Sequence, residues 1–262
     1  MRFKLVYIVL ILLVSCKKET QSTTRIYGHA GFGLNSSTSI YNENTKESIQ
    51  LCIETPGTEG IEIDIQFSLD GSAWCFHDVR LDDETNSTGF ISEKTDEELS
   101  STEYKNGNLK LCKLTQIPTD LWGKELIFDL REATKEGGIY HNDTIIDRFI
   151  SECEMRFPTS SIAIIVNTNL FVNKFKEVNY SVYFDAVSVD NYYNFEGFTL
   201  SDGISITNES ITAEEVKNLQ LLDKKVLIFG ARSPKYIRKA LKKNADIFLA
   251  DDINATLIER CK

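Results

Sequence analysis

The sequence predicts an α/β protein of one domain, a (β/α)8 TIM barrel. Strand-like and helix-like runs alternate from Arg25 to the C-terminus, and eight candidate strands fit into residues 25–262. Several runs, such as residues 162–166, are apolar throughout, as expected for strands buried on both faces of a parallel sheet. Only four prolines occur, and no Pro/Gly-rich linker divides the chain. An open, doubly wound sheet is the alternative that these patterns allow.

The strand predictions follow short apolar, β-branched runs, and the helix predictions follow helical spacing between them. The predicted strands are residues 25–28, 60–67, 125–130, 162–168, 182–189, 203–206, 225–229 and 246–249. The predicted helices are residues 43–54, 95–101, 143–156, 212–222, 234–243 and 254–260. Thr212 with Glu215 forms a predicted capping box, and Pro234 suits the first turn of its helix. Residues 82–122 are polar and show no clear amphipathic period.

The N-terminus has the pattern of an export signal. Arg2 and Lys4 precede an apolar run, residues 5–14, that is too short to span a bilayer. Leu13-Val14-Ser15-Cys16 resembles the lipobox of bacterial lipoproteins, in which cleavage precedes a cysteine that becomes lipidated. We therefore expect a signal peptide over residues 1–15, a lipidated tether over residues 16–24 and a barrel over residues 25–262. An ordinary secretory signal with an incidental cysteine is the alternative.

The charge of the chain is acidic, with a formal net value of −10, and removal of Arg2 and Lys4 would change it to −10 − 2 = −12. Binding to phosphate backbones depends on clustered Lys and Arg, so this composition argues against a nucleic-acid partner. An anionic substrate would need local cations. The cysteines include no CxxC pair, which argues against a zinc site.

Two carboxylates interrupt the apolar run Gly60-Ile61-Glu62-Ile63-Asp64-Ile65. Side chains alternate between the faces of a strand, so Glu62 and Asp64 share one face, about 7 Å apart along the strand. Like charges on a buried strand repel each other and resist desolvation, so they require a compensating cation. His77 follows a hairpin turn predicted at Asp70-Gly71. Acids that hold a hard metal ion beside a histidine indicate a hydrolytic site.

A barrel would bring further polar residues to the same rim, because sites in this fold form at the C-terminal ends of strands. His29 follows the first strand, and Asp129 and Arg131 share a face of the third. Three carboxylates suit Mg²⁺ or Ca²⁺, and such an ion binds phosphate oxygens and lowers the pKa of a hydroxyl. We expect His29 and His77 to act as general base and general acid. Arg131 would neutralise charge on the phosphate oxygens.

Each of these residues also has a structural interpretation when it is taken alone. A histidine at a strand end is commonly structural, an alternating acidic pair suits a half-exposed sheet, and Asp129 with Arg131 suits a structural ion pair. Their combination on the first three strands favours a catalytic site. The remaining histidine, His141, lies in a loop after the third strand, where we expect it to be exposed to solvent; a place at the substrate mouth is the alternative.

Several short motifs resemble the glycerophosphodiester phosphodiesterase family in order and spacing. The family pattern runs HRG, ENT, GxExD, a DG turn, HD, TxxxG and IPT. The matching pieces here are Gly28-His29-Ala30-Gly31, Glu43-Asn44-Thr45, Gly60-Ile61-Glu62-Ile63-Asp64, Asp70-Gly71, His77-Asp78, Thr85-Asn86-Ser87-Thr88-Gly89 and Ile117-Pro118-Thr119. The resemblance implies a TIM barrel that cleaves glycerophosphodiesters with a divalent metal. It implies that His29 and His77 are the acid–base pair and that Glu62 and Asp64 are metal ligands.

Two positions depart from the family pattern. The arginine after the family's first histidine is Ala30 here, which removes a phosphate-binding cation. The family's third ligand is usually a glutamate in an E-x-K pair, whereas this chain has Asp129-Leu130-Arg131. An aspartate at that position is similar to the related sphingomyelinase D-like phosphodiesterases.

Together these features predict a monomeric, metal-dependent phosphodiesterase that acts on glycerophosphodiesters or related lipid head groups with one Mg²⁺ or Ca²⁺. The expected partners are a small or lipid-derived phosphodiester and, through Cys16, a membrane of the bacterial cell envelope, at the outer membrane or the periplasmic face. One alternative is a sphingomyelinase D-like or lysophospholipid phosphodiesterase. The other, favoured by Ala30, is a catalytically impaired barrel that acts as a surface binding lipoprotein.

Overall fold

The computed structural model describes residues 22–34, 40–131, 142–158 and 160–262. The predicted signal peptide, Cys16, the tether up to residue 21 and His141 lie outside the described residues, so those expectations stay predictions. Within the described ranges, no helix is both long and apolar enough to cross a membrane.

Eight parallel strands close into a ring, which confirms the predicted (β/α)8 barrel. Within the described ranges the strands are β1 (Arg25–Gly28), β2 (Gly60–Phe67), β3 (Ala73–Cys75), β4 (Cys112–Lys113), β5 (Glu125–Leu130), β6 (Ile162–Val166), β7 (Ser181–Ala186), β8 (Gly203–Thr207), β9 (Lys225–Phe229) and β10 (Ile247–Ala250). The ring closes because β1 pairs in parallel with both β10 and β2. Strands β3 and β4 are antiparallel and extend the sheet from β2 outside the ring.

The barrel interior has an apolar floor below a polar mouth. Tyr27, Ile127, Tyr183, Leu227 and Leu249 belong to one buried cluster, separate from the larger core that includes residues of the surrounding helices. Because strand side chains alternate between faces, Asp129 shares the interior face with Ile127, one pleat closer to the C-terminal end of β5. The sequence pattern of β5 therefore turns from apolar to acidic as the strand reaches the mouth.

The helices of the described ranges are α1 (Lys46–Glu54), α2 (Asp96–Ser100), α3 (Asp143–Arg156), α4 (Val172–Glu177), α5 (Val189–Tyr193), α6 (Ala213–Leu221), α7 (Pro234–Leu241) and α8 (Ile253–Arg260). The predicted capping box forms at α6, where the Thr212 hydroxyl accepts a hydrogen bond from the Glu215 N–H and the Glu215 carboxylate accepts one from the Thr212 N–H. Helix α1 begins later than predicted because Thr45 caps it, with its hydroxyl accepting from the Ser48 N–H.

Several predicted boundaries are wrong in the second half of the barrel. The strand predicted over residues 182–189 ends at Ala186, because Ser188 caps α5 and residues 189–193 turn into that helix. The strand predicted over residues 162–168 ends at Val166, and the sequence analysis did not predict α4 or α5. These helices have six and five residues, so their apolar side chains cannot repeat often enough to show a helical period.

The segment after β2 carries His77 and folds as a small unit against the barrel. The predicted turn at Asp70-Gly71 joins β2 to β3, with Gly71 at a φ of 73°. The Asp96 carboxylate accepts hydrogen bonds across this unit from Ser68, Ser72, Trp74 and Lys113. Its core is a separate buried cluster that includes Trp74, Phe76, Leu81, Ile91, Leu99 and Tyr104. The unit therefore fixes the backbone on which His77 sits.

Candidate active site

Three carboxylates meet at the mouth of the barrel. Strand register places Asp64 beside Asp129 on the neighbouring strand, and Glu62 lies two residues before Asp64 on β2. One carboxylate oxygen from each residue lies within 4.8 Å of the others. Glu62 and Asp64 are fully buried. The structure thus brings together the three predicted metal ligands in the arrangement that the alternating strand pattern predicts.

The carboxylate cluster carries more negative charge than its surroundings neutralise. Burial, together with the nearby charges of Asp64 and Asp129, raises the pKa of Glu62 well above its usual value. Burial raises the pKa of Asp129 to about 7, although the Arg131 guanidinium opposes the shift. The Oε1 atom of Glu62 is buried and accepts no hydrogen bond from the described part of the chain. A hard divalent cation would satisfy that oxygen and the excess charge, so these residues fit Mg²⁺ or Ca²⁺.

Arg131 is bound to the carboxylates themselves. Its Nη1 donates to Oδ2 of Asp129 at 3.0 Å, and its Nε lies 3.8 Å from Oδ1 of Asp64. Its backbone N–H donates to the Ile65 carbonyl, which continues the β2–β5 ladder beyond Leu130. Arg131 therefore holds the two aspartates in position, and its predicted contact with a phosphate stays a prediction.

Backbone and amide groups orient the remaining carboxylate oxygens. Asn44 donates from Nδ2 to Oδ2 of Asp64 at 2.7 Å and accepts from the Asp64 N–H at 3.0 Å. The Ala30 N–H donates to Oε2 of Glu62 at 2.7 Å. Ala30 and Asn44 both have left-handed backbone, at φ values of 50° and 57°, which side-chain-bearing residues rarely adopt. This conformation aims both residues at the acids, and such local strain is typical of functional sites.

His29 lies between the cluster and a buried aspartate that the sequence analysis missed. Its Nδ1 lies 2.6 Å from Oδ1 of Asp251, and its Nε2 lies 3.8 Å from Oε2 of Glu62. The carboxylate accepts a hydrogen bond from Nδ1–H, so Nε2 is the ring nitrogen on the side of the carboxylate cluster. Burial opposes ionisation of Asp251, but hydrogen bonds from His29 and Arg232 hold its pKa below the usual value. The sequence signal that could have identified Asp251 is its position, because it directly follows the last barrel strand.

His77 reaches the mouth from the loop after β3. Its Nδ1 lies 2.8 Å from Oδ1 of Asp78, so it too has a carboxylate partner at that nitrogen. Gln66 fixes the loop, because its Nε2 donates to the carbonyls of Phe76 at 2.9 Å and Asp78 at 2.8 Å. His77 is more exposed than His29, with side-chain exposures of 36% and 14%. One imidazole is therefore enclosed beside the carboxylates, and the other stands at the rim.

All six predicted site residues line one cavity of about 260 Å³ at the C-terminal end of the barrel. They are His29, Glu62, Asp64, His77, Asp129 and Arg131. Among the described residues, the other polar members of the lining are Asp185, Ser205, Arg232 and Asp251, which were not selected from the sequence. A second cavity of about 350 Å³, lined in part by Glu43, Glu84 and Asn106, shares Leu34 with the first. Two histidines beside a carboxylate cluster that fits a hard cation provide the groups that acid–base hydrolysis needs.

Comparisons with known proteins agree on one family. The model of the glycerophosphoryl diester phosphodiesterase family matches residues 29–190, more than half of the chain. A glycerophosphodiester phosphodiesterase of Bacillus altitudinis is 37% identical over 95 residues, a stretch that spans only 36% of this chain and 36% of that relative.

Solved structures show the same fold over nearly the whole chain. A phosphodiesterase of Oleispira antarctica, solved in complex with the product sn-glycerol-3-phosphate, superposes with a TM-score of 0.76 at 17% identity, covering 91% of this chain and 97% of its own. A glycerophosphodiester phosphodiesterase of Parabacteroides distasonis gives a TM-score of 0.71 at 18% identity, with coverages of 92% and 100%. At these identities the likeness shows a shared fold.

Proposed function

The chain belongs to the glycerophosphoryl diester phosphodiesterase family, and from that premise we propose that it hydrolyses a phosphodiester bond in glycerophosphodiesters or related lipid head groups. The observation that carries this proposal is the meeting of His29, His77 and the three-carboxylate cluster at one cavity. A site that only binds a ligand has no need of two histidines with carboxylate partners beside a carboxylate cluster whose negative charge is only partly compensated. This argues against the catalytically impaired barrel that Ala30 suggested.

The proposed cofactor is one Mg²⁺ or Ca²⁺ held by Glu62, Asp64 and Asp129. The donor set consists of oxygens, which hard cations prefer, and Glu62 offers a buried oxygen with no partner in the described ranges. A cation bound there would neutralise negative charge on the phosphate and lower the pKa of an oxygen nucleophile. Asn44, the Ala30 N–H and Arg131 orient the three ligands before the cation arrives.

The two histidines divide the proton transfers. One imidazole takes the proton from the attacking hydroxyl, and the other donates a proton to the oxygen of the leaving alcohol. The attacking hydroxyl belongs to water or to the substrate, which gives a direct product or a cyclic phosphate. Asp251 and Asp78 hold the two imidazoles through their Nδ1 atoms and so fix the orientation of each ring. With a cavity of about 260 Å³, the mouth has room for a phosphate and a small alcohol.

The proposal is tested with a panel of glycerophosphodiesters, lysophospholipids and sphingomyelin, followed by ³¹P NMR so that a cyclic phosphate is also seen. We expect turnover of at least one of these phosphodiesters with Mg²⁺ or Ca²⁺ present, and loss of turnover in His29→Ala. The alternative substrate classes are separated by which member of the panel is cleaved. Absence of turnover for the whole panel with either metal contradicts the proposal and leaves a binding protein as the better interpretation.

The proposed setting is the bacterial cell envelope, with the barrel tethered through a lipid on Cys16. The support is the lipobox-like sequence Leu13-Val14-Ser15-Cys16 after a basic start and an apolar run. We also propose that the barrel acts as a monomer. Fractionation of cells that express the wild type and Cys16→Ser tests the anchor, because the variant should leave the membrane fraction while the wild type stays in it.

A further inference from the structure

We propose that Arg232 binds the phosphate group of the substrate and supplies the uncommitted side-chain cation that the rest of the described cavity lining lacks. This inference rests on the proposed function, and it concerns a residue outside the motifs that define the family resemblance. Arg232 lies in the loop after β9 and lines the same cavity as the two histidines and the carboxylate cluster.

The charge balance of the cavity creates the need for such a group. Five carboxylates line it in the described ranges, namely Glu62, Asp64, Asp129, Asp185 and Asp251. Among the described residues of that lining, the arginines are Arg131 and Arg232, and there is no lysine. A phosphodiester is itself an anion, so an acidic cavity repels it unless cationic groups are free to contact it. One divalent cation on the cluster offsets only part of this excess.

The two arginines differ in what their guanidinium groups already contact. Arg131 is held between Asp129 and Asp64, at 3.0 Å and 3.8 Å. Arg232 uses its Nε to bind Oδ2 of Asp251 at 3.0 Å, while its Nη1 and Nη2 contact no acceptor of the described residues. A guanidinium group carries five N–H donors, so four stay available for phosphate oxygens. With 65% of its side chain exposed, Arg232 can reach an incoming ligand.

The backbone turns two residues before Arg232, as the chain leaves β9. Gly230 has a φ of 81°, which lets the chain turn sharply after β9, and no atom lies within 4 Å of the place that a Cβ would occupy there. Asp251 connects Arg232 to His29, since its two carboxylate oxygens contact one of them each. The Arg232 guanidinium and the His29 imidazole are therefore bridged by a single carboxylate, that of Asp251.

Position 30 explains why this placement matters in this chain. Ala30 follows His29 directly, is fully buried and contributes a methyl group in place of a charge. Among the described residues of the cavity lining, a side-chain cation for the phosphate beside His29 comes only from other parts of the barrel. Arg232 meets that requirement from the far end of the sequence, because β1 pairs with β10 and β10 with β9 in the closed ring.

The test separates phosphate binding from an indirect effect through Asp251 and His29. We would compare the wild type, Arg232→Gln and Arg232→Lys, with Lys235→Gln as a control that removes one exposed positive charge from the nearby α7. Calorimetry with inorganic phosphate and with glycerol 3-phosphate, in millimolar Mg²⁺, measures binding without turnover. Steady-state kinetics on the best substrate give KM, kcat and the pH profile.

We expect Arg232→Gln to weaken phosphate binding and raise KM by roughly 10-fold or more, the effect of losing a charge-assisted hydrogen bond. Its kcat should stay within about 3-fold and its pH profile unchanged, and Arg232→Lys should recover part of the loss. Phosphate binding equal to that of Lys235→Gln would overturn the inference. So would a lower kcat and a shifted pH profile with unchanged phosphate binding, which would make Arg232 a positioning residue for His29. If the wild type hydrolyses nothing, the proposed function fails, while calorimetry still decides whether Arg232 binds phosphate.

Discussion

Neutralising one carboxylate of the cluster should have opposite effects on stability with and without a divalent cation. The perturbation is Glu62→Gln, which keeps the side-chain shape and an oxygen that accepts from the Ala30 N–H. Two unit charges separated by 4.8 Å, the upper limit within the cluster, repel by about 3.5 kcal/mol at an effective dielectric constant of about 20. Glu62 takes part in two such pairs. Proton uptake relieves much of this repulsion, so we expect the metal-free variant to be more stable than the wild type by about 1–3 kcal/mol at pH 8.

A saturating divalent cation should reverse that order. A ligand at 100 times its dissociation constant stabilises a protein by about 2.7 kcal/mol, and the wild type keeps all three ligands while the variant has lost one. Thermal unfolding at pH 8 measures both states, since a change of 1–3 kcal/mol corresponds to roughly 3–10 °C for a domain of this size. The exposed Glu177, changed to Gln, is the matched control and should respond to neither condition. Equal stabilisation of wild type and Glu62→Gln by Mg²⁺ and Ca²⁺ would refute a metal site at Glu62.

Three further predictions concern the histidines and the unit that carries His77. His77→Ala should lower kcat by about 100-fold or more with unchanged thermal stability. His141→Ala, at a histidine that the sequence alone predicts to be exposed, should keep wild-type kinetics. Equal kcat values for His77→Ala and the wild type would contradict the role of His77. Asp251→Asn should lower kcat by about 10–100-fold by leaving His29 without its orienting carboxylate, and an unchanged kcat would argue against this. Asp96→Asn should cost about 1–3 kcal/mol of unfolding free energy in urea at pH 7. Partial burial works against ionisation of Asp96, but its hydrogen bonds hold its pKa below the usual value. The stability that ionised Asp96 contributes is therefore present above the usual pKa and lost as the pH falls through the pKa of the folded protein. A stability deficit of Asp96→Asn that persists in acid would contradict this prediction.

The barrel was predictable where the chain marks both ends of an element. The predicted bounds of β1, β2, β5, β9 and α3 are those of the structure, because apolar runs stop at turn or capping residues. The short antiparallel strands β3 and β4 have three and two residues, too few to show alternation. Strands β3 and β4 form because β3 pairs with β2 and β4 pairs with β3, and their own sequences contribute less.

The candidate site was predictable for residues on strands and less so for residues in loops. The alternation of side chains on β2 and β5 determines which face Glu62, Asp64 and Asp129 occupy. The parallel register of the two strands then places Asp64 beside Asp129. The contact of His29 with Asp251 joins residues 222 positions apart and depends on how β1 closes the ring against β10. No local pattern encodes that register. Asn44 stands in one of the motifs of the family resemblance, but its contact with Asp64 was not predicted, because it requires a left-handed backbone at a turn.

The measurement that tests the central claim most directly is phosphodiester hydrolysis after removal of bound metal, followed by its restoration. The wild-type protein is treated with EDTA and assayed with the glycerophosphodiester that it hydrolyses in the panel. It is then titrated with Mg²⁺ or Ca²⁺. The account predicts that activity falls by at least about 100-fold and that one of these cations restores it. The Glu62→Gln variant should show little recovery at the concentration that restores the wild type. Full activity in EDTA, or equal recovery of the variant, would contradict a cation held by Glu62, Asp64 and Asp129.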